Sequence, residues 1–251
     1  MLNQETENHS VSDKKYLVPF ILITSLFFLW GFARAILDVL NKHFQNALHI
    51  SITQSAMIQV TTYLGYFLMA IPAGIFINKY GYRRGVVFGL LLFGLGAIFF
   101  IPGASIGSFS AFLFCLFVIG CGLVFLETAA NPYVTELGAR ETATSRLNLS
   151  QSFNGLGSIF ATFCIGQFLF NDTQQGGNVV IPYAILGVLV LAIAVVFSRV
   201  DLPEIQHQQT TEDKAKGSNI AKLFANHRMF VFGLFALLSY EVAEISIKDR
   251  K

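Results

Sequence analysis

The chain has 251 residues, of which 54% are hydrophobic and 13% are charged, and its formal net charge at pH 7 is +2. Soluble domains carry about 25% charged residues, so this composition excludes an ordinary globular enzyme and indicates an integral membrane protein. The small net charge, without a basic stripe, also argues against a nucleic-acid partner. The lipid bilayer is therefore the expected surrounding of most of the chain.

The chain opens with a polar tail, residues 1–15, and the first apolar run follows directly. Residues 16–33 carry no charge and are long enough to cross a hydrocarbon core of about 30 Å. We expect the helix to continue through Arg34 and Asp38 to about Leu40. Because the run is long and ends without a small-residue cleavage site, we interpret it as a retained first span and not as a signal peptide.

Five further apolar runs follow, separated by short polar or uncharged turns, and each predicts one more membrane-spanning helix. They cover residues 55–77, 85–101, 109–133, 147–170 and 179–197. Residues 41–53, 102–108, 136–146 and 171–178 are expected to form loops. The sequence thus predicts an all-α integral membrane protein with a six-helix domain over residues 16–198.

The composition changes after the sixth span. Residues 199–227 are hydrophilic and charged, and we interpret them as a cytoplasmic linker. Residues 228–251 combine a short apolar segment with two glutamates and a charged end. This pattern predicts an incomplete seventh transmembrane segment followed by a divergent tail.

The distribution of basic residues predicts the orientation in the membrane. The loops on the outer side would carry only Lys42 if the N-terminus is cytoplasmic. The inner side would then carry Lys14, Lys15, Lys79, Arg83, Arg84, Arg140, Arg146, Arg199, Lys214, Lys216, Lys222 and Arg228. This asymmetry follows the positive-inside rule, and it favours six spans with both ends of the domain in the cytoplasm.

Two acids and one arginine within or beside the apolar runs are the first candidate functional residues. Glu127 interrupts the fourth run, where a carboxylate costs about 2.5–3.5 kcal/mol on insertion scales. It must therefore face a cavity, find a partner or carry a proton. Arg34 and Asp38 are four residues apart and share one helix face. They form either an internal ion pair, or a site in which Asp38 titrates and Arg34 tunes it or grips a substrate hydroxyl.

Amide side chains form the second group of candidates. Gln151 and Asn154 are three residues apart on one face, and an amide both donates and accepts hydrogen bonds, as recognition of sugar hydroxyls requires. The alternative is hydrogen bonding between helices. Asn131, just before a proline, is a weaker candidate for a cap or a substrate contact. Trp30 could stack on a sugar ring, although packing is its commoner role, and Tyr66 is interpreted as packing.

The sequence offers no catalytic or cofactor motif. The three cysteines lie in apolar runs without metal-ligand spacing, and the five histidines are scattered through tails and loops. No cluster of His, Cys and carboxylate residues has catalytic spacing. We therefore predict no enzyme activity, no metal and no cofactor other than the proton.

Three stretches resemble the L-fucose:proton symporters of the major facilitator superfamily. They are SLFFLW, which begins at Ser25 and is followed by Asp38, FLETAANP, which begins at Phe125, and RLNLSQSFN, which begins at Arg146. The resemblance covers about residues 16–245. It implies the six-helix N-terminal half of a twelve-helix transporter, built from two three-helix inverted repeats and working by alternating access.

The resemblance also implies roles for individual residues. Asp38 and Glu127 match the acids that couple protons and contact sugar, and Gln151 and Asn154 match the amides that line the sugar site. Arg34 and Asn131 are included as substrate contacts. The implied function is proton-coupled uptake of L-fucose or a related hexose across the bacterial inner membrane. Where the best-known fucose permeases carry two asparagines in the first helix, this chain has Arg34 and Ala35, so the resemblance does not fix fucose as the sugar.

The length departs from the family pattern, because a whole member has about twice as many spans. We therefore expect a truncated product that lacks a C-terminal partner half. The alternative hypothesis is a half-transporter remnant or membrane scaffold that inserts into the bilayer and moves nothing.

Overall fold

The structure is a computed structural model, and it describes residues 14–47, 52–106, 108–170 and 180–200, with single positions between 229 and 243. All regular structure in these described ranges is helical. The predicted all-α class is therefore confirmed.

Seven helices and one 3-10 turn make up the described part up to Val200. The helices are α1 (Lys14–Ala47), α2 (Ile52–Tyr80), α3 (Tyr82–Ile98), α4 (Phe100–Ile106), α5 (Phe109–Glu136), α6 (Ala143–Phe170) and α7 (Val180–Arg199). The 3-10 turn, Arg140–Thr142, leads into α6. Each of the six predicted spans coincides with one long helix, and α4 is an additional short one.

The helices extend beyond the apolar runs, so parts of several segments that were predicted to be loops are helical. α1 continues to Ala47 instead of ending near Leu40, and α4 occupies most of the predicted turn over residues 102–108. Pro102 does not prevent this, because it lies in the first turn of α4, where a missing N–H costs nothing. An apolar run marks the hydrocarbon boundary, whereas a helix can continue into the polar region beyond it.

Helix α5 is the centre of this part of the molecule. Its residues 119–126 are buried on every side over two turns, and it packs against both α2 and α3. Gly122 allows this close packing, since a Cβ there would lie 2.5 Å from the backbone nitrogen of Phe93. The other main pairs are α1 with α6 and α3 with α7. α5 can therefore present its few polar residues only where a neighbouring helix leaves space.

The outside of the bundle is apolar, as a surface in contact with lipid tails requires. On α2 the exposed fractions reach 79% for Phe67, 64% for Ile75 and 63% for Val60. Four stretches of the described residues are long and apolar enough to cross a membrane: Tyr16–Ile36, Met57–Tyr80, Tyr82–Gly103 and Phe109–Glu136. A shorter apolar helix covers Tyr183–Arg199.

The end of α5 is held by a buried arginine from α6. Arg146 is only 4% exposed, and its Nε donates to the carbonyl of Val134 at 3.1 Å. Its two terminal nitrogens donate to the carbonyls of Thr135 and Ala139 and to the hydroxyl of Thr142. Burial lowers the pKa of the Arg146 guanidinium, and the charge of Glu136 opposes that shift. The sequence predicted no capping role for Arg146: it counted toward the orientation signal and began the stretch RLNLSQSFN.

The chain divides into two compact units, residues 1–205 and 206–251. In the second unit the described positions between 229 and 243 are helical, and the Ser239 hydroxyl donates to the Phe235 carbonyl at 2.9 Å. Most of the predicted N-terminal tail (residues 1–13), the loop over 171–178, the linker over 201–227 and the end of the tail lie outside the described residues. The proposed domain boundaries and inverted repeats stay predictions.

Candidate functional site

Glu127 lies at the point where α5 emerges from its fully buried stretch. Residues 119–126 before it are buried, whereas Glu127 itself is half-buried. Asn131 follows four residues later on the same face of the helix and is also half-buried. α5 thus presents one acid and one amide, a turn apart, on one half-buried face.

Gln151 on α6 contacts this face of α5. Its Nε2 donates to Oδ1 of Asn131 at 3.2 Å, and the Gln151 side chain is exposed. The structure therefore brings together two amides that are twenty residues apart in sequence. Each amide can make more hydrogen bonds than this one, because an amide group offers two donor hydrogens and two acceptor lone pairs. Together they form a polar surface that suits a hydroxylated ligand.

Asn154, one turn further along α6, makes its hydrogen bond to α1 and not to α5. Its Nδ2 donates to the backbone carbonyl of Phe27 on α1 at 3.2 Å. This is the hydrogen bond between helices that the sequence offered as the alternative to sugar binding. The carbonyl side of the same amide keeps its own acceptor capacity. A substrate role for Asn154 stays a prediction.

Asn154 belongs to a polar seam that joins α1 to α6. Thr24 and Ser150 are hydrogen-bonded through their buried hydroxyls at 3.1 Å, and the Ser158 hydroxyl donates to the carbonyl of Gly31 at 3.1 Å. A Cβ on Gly31 would collide with the backbone carbonyl of Asn154. Small residues and interhelical hydrogen bonds are the means by which helices associate closely in membranes. The seam fixes the register of α6, and hence the height of Gln151 beside α5.

Trp30 and Tyr66 link α1 to α2 beside this face. The indole Nε1 of Trp30 donates to the hydroxyl of Tyr66 at 3.2 Å, and both side chains are half-buried. The Tyr66 ring also packs against the cluster of Ala73, Val124 and Phe125, of which the last two shortly precede Glu127 on α5. Tyr66 is thus next to the predicted site, although the sequence indicated only packing. No sequence signal could have paired it with Trp30, because the two residues are on different helices and 36 positions apart.

The first-helix pair is only partly described. The Arg34 side chain is exposed, and the backbone of Asp38 lies in α1 one turn further on. The Asp38 side chain lies outside the described residues, so its predicted pairing with Arg34 and its predicted proton role stay predictions. Within the described part of the chain, no group of three or more His, Cys, Asp or Glu residues could hold a metal ion.

Comparison with known proteins gives one family and several relatives. The model of the Major Facilitator Superfamily matches residues 23–244. The L-fucose-proton symporter of Haemophilus influenzae is 37% identical over an alignment of 228 positions, which covers 80% of this chain and 53% of that protein. The glucose/galactose transporter of Brucella abortus is 34% identical over an alignment of 252 positions, which covers 98% of this chain and 60% of that protein.

A solved structure agrees with these relatives. The crystal structure of the E. coli fucose:proton symporter FucP superimposes with a TM-score of 0.67 and 35% identity, over 80% of this chain and 55% of that one. The chain therefore spans between half and three fifths of the length of the proteins that it matches. The three motifs that suggested the resemblance lie inside the matched region.

Proposed function

Because the chain belongs to the Major Facilitator Superfamily, we propose that it serves proton-coupled uptake of a monosaccharide, L-fucose or a related hexose. The membership itself makes it a multi-pass membrane protein of a transporter family. The relatives that match it are named L-fucose-proton symporters and glucose/galactose transporters. These names support a sugar as the substrate class and the proton as the coupling ion.

The observation that carries this proposal is the amide pair beside the acid. Asn131 and Gln151 are hydrogen-bonded at 3.2 Å, one turn along α5 from Glu127. A sugar hydroxyl both donates and accepts hydrogen bonds, and a pair of amides can accept a hydrogen bond from it or donate one to it. In the proposed site, Gln151, Asn131 and Asn154 contact hydroxyls of the sugar, and Arg34 donates to a further one.

Proton coupling is assigned to Glu127 and Asp38. An ionised carboxylate is costly in a closed, dry cavity, whereas a protonated one is tolerated. Reorientation of the loaded site would then require that the acids be neutral, which ties sugar movement to proton entry. Alternating access of this kind is typical of transporters built from repeated helical units.

The proposed location is the bacterial inner membrane with a cytoplasmic N-terminus. The basis is the excess of Lys and Arg on one side of the predicted spans. In this orientation the connections from α2 to α3 and from α5 to α6 lie in the cytoplasm.

The test is sugar uptake by the full chain, reconstituted in liposomes with an imposed pH gradient. Radiolabelled L-fucose, D-galactose and D-glucose are offered separately, with the gradient inward, absent or reversed. We expect one of them to accumulate only under an inward proton gradient. Glu127→Gln should abolish this accumulation and retain exchange of labelled for unlabelled sugar, which needs no net proton movement.

The proposal fails if none of the three sugars is accumulated or exchanged above the level of empty liposomes. It also fails, in its proton-coupling part, if Glu127→Gln accumulates sugar as well as the parent chain. Glu141→Gln, an exposed acid in the 3-10 turn, is the matched control and should leave uptake unchanged.

A further inference from the structure

The ends of α2, α3 and α7 carry basic side chains and lie together at one edge of the membrane-spanning helices. The basic residues of these three helices are Lys79, Arg83, Arg84 and Arg199. Two stretches that are long and apolar enough to cross a membrane meet at this edge, because one ends at Tyr80 and the next begins at Tyr82. None of the three helices contains an aspartate or a glutamate. The edge is therefore positively charged where the apolar surface ends.

The two arginines of α3 point to different neighbours. Nη2 of Arg83 donates to the carbonyl of Ser198 at 2.5 Å, which holds the end of α7, with the exposed Arg199, against the start of α3. Successive residues of a helix point about 100° apart, so Arg84 points away from this contact. Arg84 shares a helix face with Phe88, four residues further on, and both side chains are exposed.

Phe88 belongs to an aromatic patch that it forms with Phe76 and Tyr80 of α2. The ring centroid of Phe76 lies 4.7 Å from that of Tyr80 and 5.1 Å from that of Phe88. The buried ring of Phe125 on α5 supports the patch from inside, at 5.6 Å from Phe76 and 4.9 Å from Phe88. On the outside, Tyr80 is 39% exposed and Phe88 is 38% exposed. The aromatic patch is thus fixed from within and open to the membrane.

Two exposed cations border the same aromatic patch from two helices. Nζ of Lys79 lies 5.1 Å from the centroid of the Tyr80 ring, a distance at which a cation and a ring attract each other. Arg84 lies one turn from Phe88 on the same face of α3. The two positive groups are therefore placed at the membrane boundary, and the exposed rings lie beside them on the side of the hydrocarbon.

This combination of charge and apolar surface selects one class of ligand. A small anion would contact the two cations and leave the exposed rings without a partner. A lipid without net charge would cover the rings but bring no charge to the cations. An anionic phospholipid matches both parts, because basic side chains at a membrane surface attract its headgroup and aromatic rings at the same level contact its upper acyl chains.

We propose that Lys79 and Arg84 bind the phosphate group of an anionic phospholipid whose acyl chains lie against the aromatic patch. The ligand is a molecule of the bilayer itself, held at one place on the surface of the protein. The inference does not depend on the proposed sugar or on proton coupling, since none of these residues belongs to the candidate transport site.

The test uses the purified full chain in detergent micelles, equilibrated with phosphatidylglycerol or with phosphatidylcholine of the same acyl chains. Native mass spectrometry counts the lipids that stay bound and gives an apparent Kd for each. The variants are Lys79→Gln, Arg84→Gln and the double variant. Arg140→Gln is the matched control, because Arg140 is exposed and follows α5, whose last turn contacts the start of α3 through the rings of Tyr133 and Tyr82 at 5.6 Å.

We expect the parent chain to bind one phosphatidylglycerol about twentyfold more tightly than phosphatidylcholine, since two basic residues face the headgroup. Each single variant should weaken this binding about fivefold, and the double variant should bind both lipids equally. Lys79→Arg and Arg84→Lys keep the charge and should keep the preference. Arg140→Gln should change neither Kd. Far-ultraviolet circular dichroism and size-exclusion profiles check that each variant is folded.

The inference is overturned if the parent chain binds the two lipids equally tightly. It is equally overturned if Arg140→Gln weakens the binding of phosphatidylglycerol as much as Arg84→Gln does, because the attraction is then diffuse and not a site. Inorganic phosphate in excess separates the lipid from a free anion: it should leave the lipid bound, and displacement of the lipid by phosphate alone would refute the role of the aromatic patch.

Discussion

Nε of Arg146 lies 3.1 Å from the carbonyl oxygen of Val134, so the first turn of α6 caps the last turn of α5. A positive charge near the start of a helix is unfavourable because the helix dipole is positive there. The Arg146 charge, however, lies at the C-terminal end of the neighbouring helix α5, where it is favourable. The carbonyls of Val134 and Thr135 have no partner within α5 and are satisfied by the guanidinium. The cap holds the end of the helix that carries Glu127 and Asn131.

Replacement of Arg146 should therefore destabilise the fold. Hydrogen bonds to charged groups contribute about 1.5–3 kcal/mol each when one partner is removed, and Arg146→Ala removes several at once. We expect the free energy of unfolding in SDS titrations to fall by about 3 kcal/mol, within the range for a broken buried network. Arg146→Lys should recover only part of the loss, because it lacks the planar fork.

Arg140 provides the control for charge alone. It lies in the same connection and is exposed. Arg140→Ala should change the free energy of unfolding by less than about 0.5 kcal/mol. Equal effects at positions 140 and 146 would contradict the capping role.

Two glycines of α6 should respond oppositely to the same substitution. A Cβ on Gly157 would collide with the backbone carbonyl of Phe28 on α1, whereas a Cβ on Gly155 would meet nothing within 4 Å. Gly157→Ala should destabilise the fold by about 1–3 kcal/mol through overpacking. Gly155→Ala should be neutral, or stabilising by up to about 1 kcal/mol, because alanine is the better helix former. Thermal unfolding followed by circular dichroism measures both.

The outcome decides whether α1 and α6 are in backbone contact at this level. If Gly157→Ala is as stable as Gly155→Ala, the two helices are further apart than the structure has them, and the seam through Asn154 and Ser158 is not formed.

Replacing either amide of the Asn131–Gln151 pair should change the affinity for sugar far more than the stability of the fold. Asn131 and Gln151 are hydrogen-bonded across a half-exposed surface, so loss of that bond alone costs about 0.5–1.5 kcal/mol of stability. In the proposed site each amide also binds substrate. Gln151→Ala and Asn131→Ala should each raise the Kd for sugar by about tenfold, which corresponds to about 1.4 kcal/mol.

Equilibrium binding to the chain in nanodiscs measures these values, and the double variant tests their coupling. If the two amides bind one hydroxyl together, the effect of the double variant will be smaller than the sum of the single ones. Ser152→Ala is the control, since the Ser152 hydroxyl donates to the Asn148 carbonyl of its own helix at 2.9 Å. An affinity unchanged in both single variants would remove Asn131 and Gln151 from the proposed site.

The orientation of the chain in the membrane can be tested with two single-cysteine variants. Each is made in a chain from which the native cysteines have been removed. Glu141→Cys lies in the connection between α5 and α6, and Ser108→Cys in the connection between α4 and α5. With a cytoplasmic N-terminus, a membrane-impermeant maleimide should label position 108 in intact cells and position 141 only after permeabilisation. The opposite pattern would invert the proposed topology.

Composition and the length of the apolar runs were enough to predict the all-α class and the six long helices. An apolar run of twenty residues can satisfy its backbone in hydrocarbon only as a helix, so all six long helices could be predicted from local sequence. Their ends could not, because a helix continues into water as far as its own residues and caps allow. For this reason α1 extends to Ala47 and α4 forms where a turn was expected.

The candidate site, too, could be predicted from the sequence only in part. Glu127 could be singled out from sequence because a carboxylate within an apolar run is costly wherever the helix lies. The partners of the polar residues depend on the rotation and height of each helix against its neighbours, which no local pattern encodes. The tertiary structure alone decided that Asn154 donates to α1, that Gln151 contacts Asn131 and that Tyr66 accepts from Trp30. Glycines at the helix contacts set those rotations, since backbones approach closely only where a Cβ is missing.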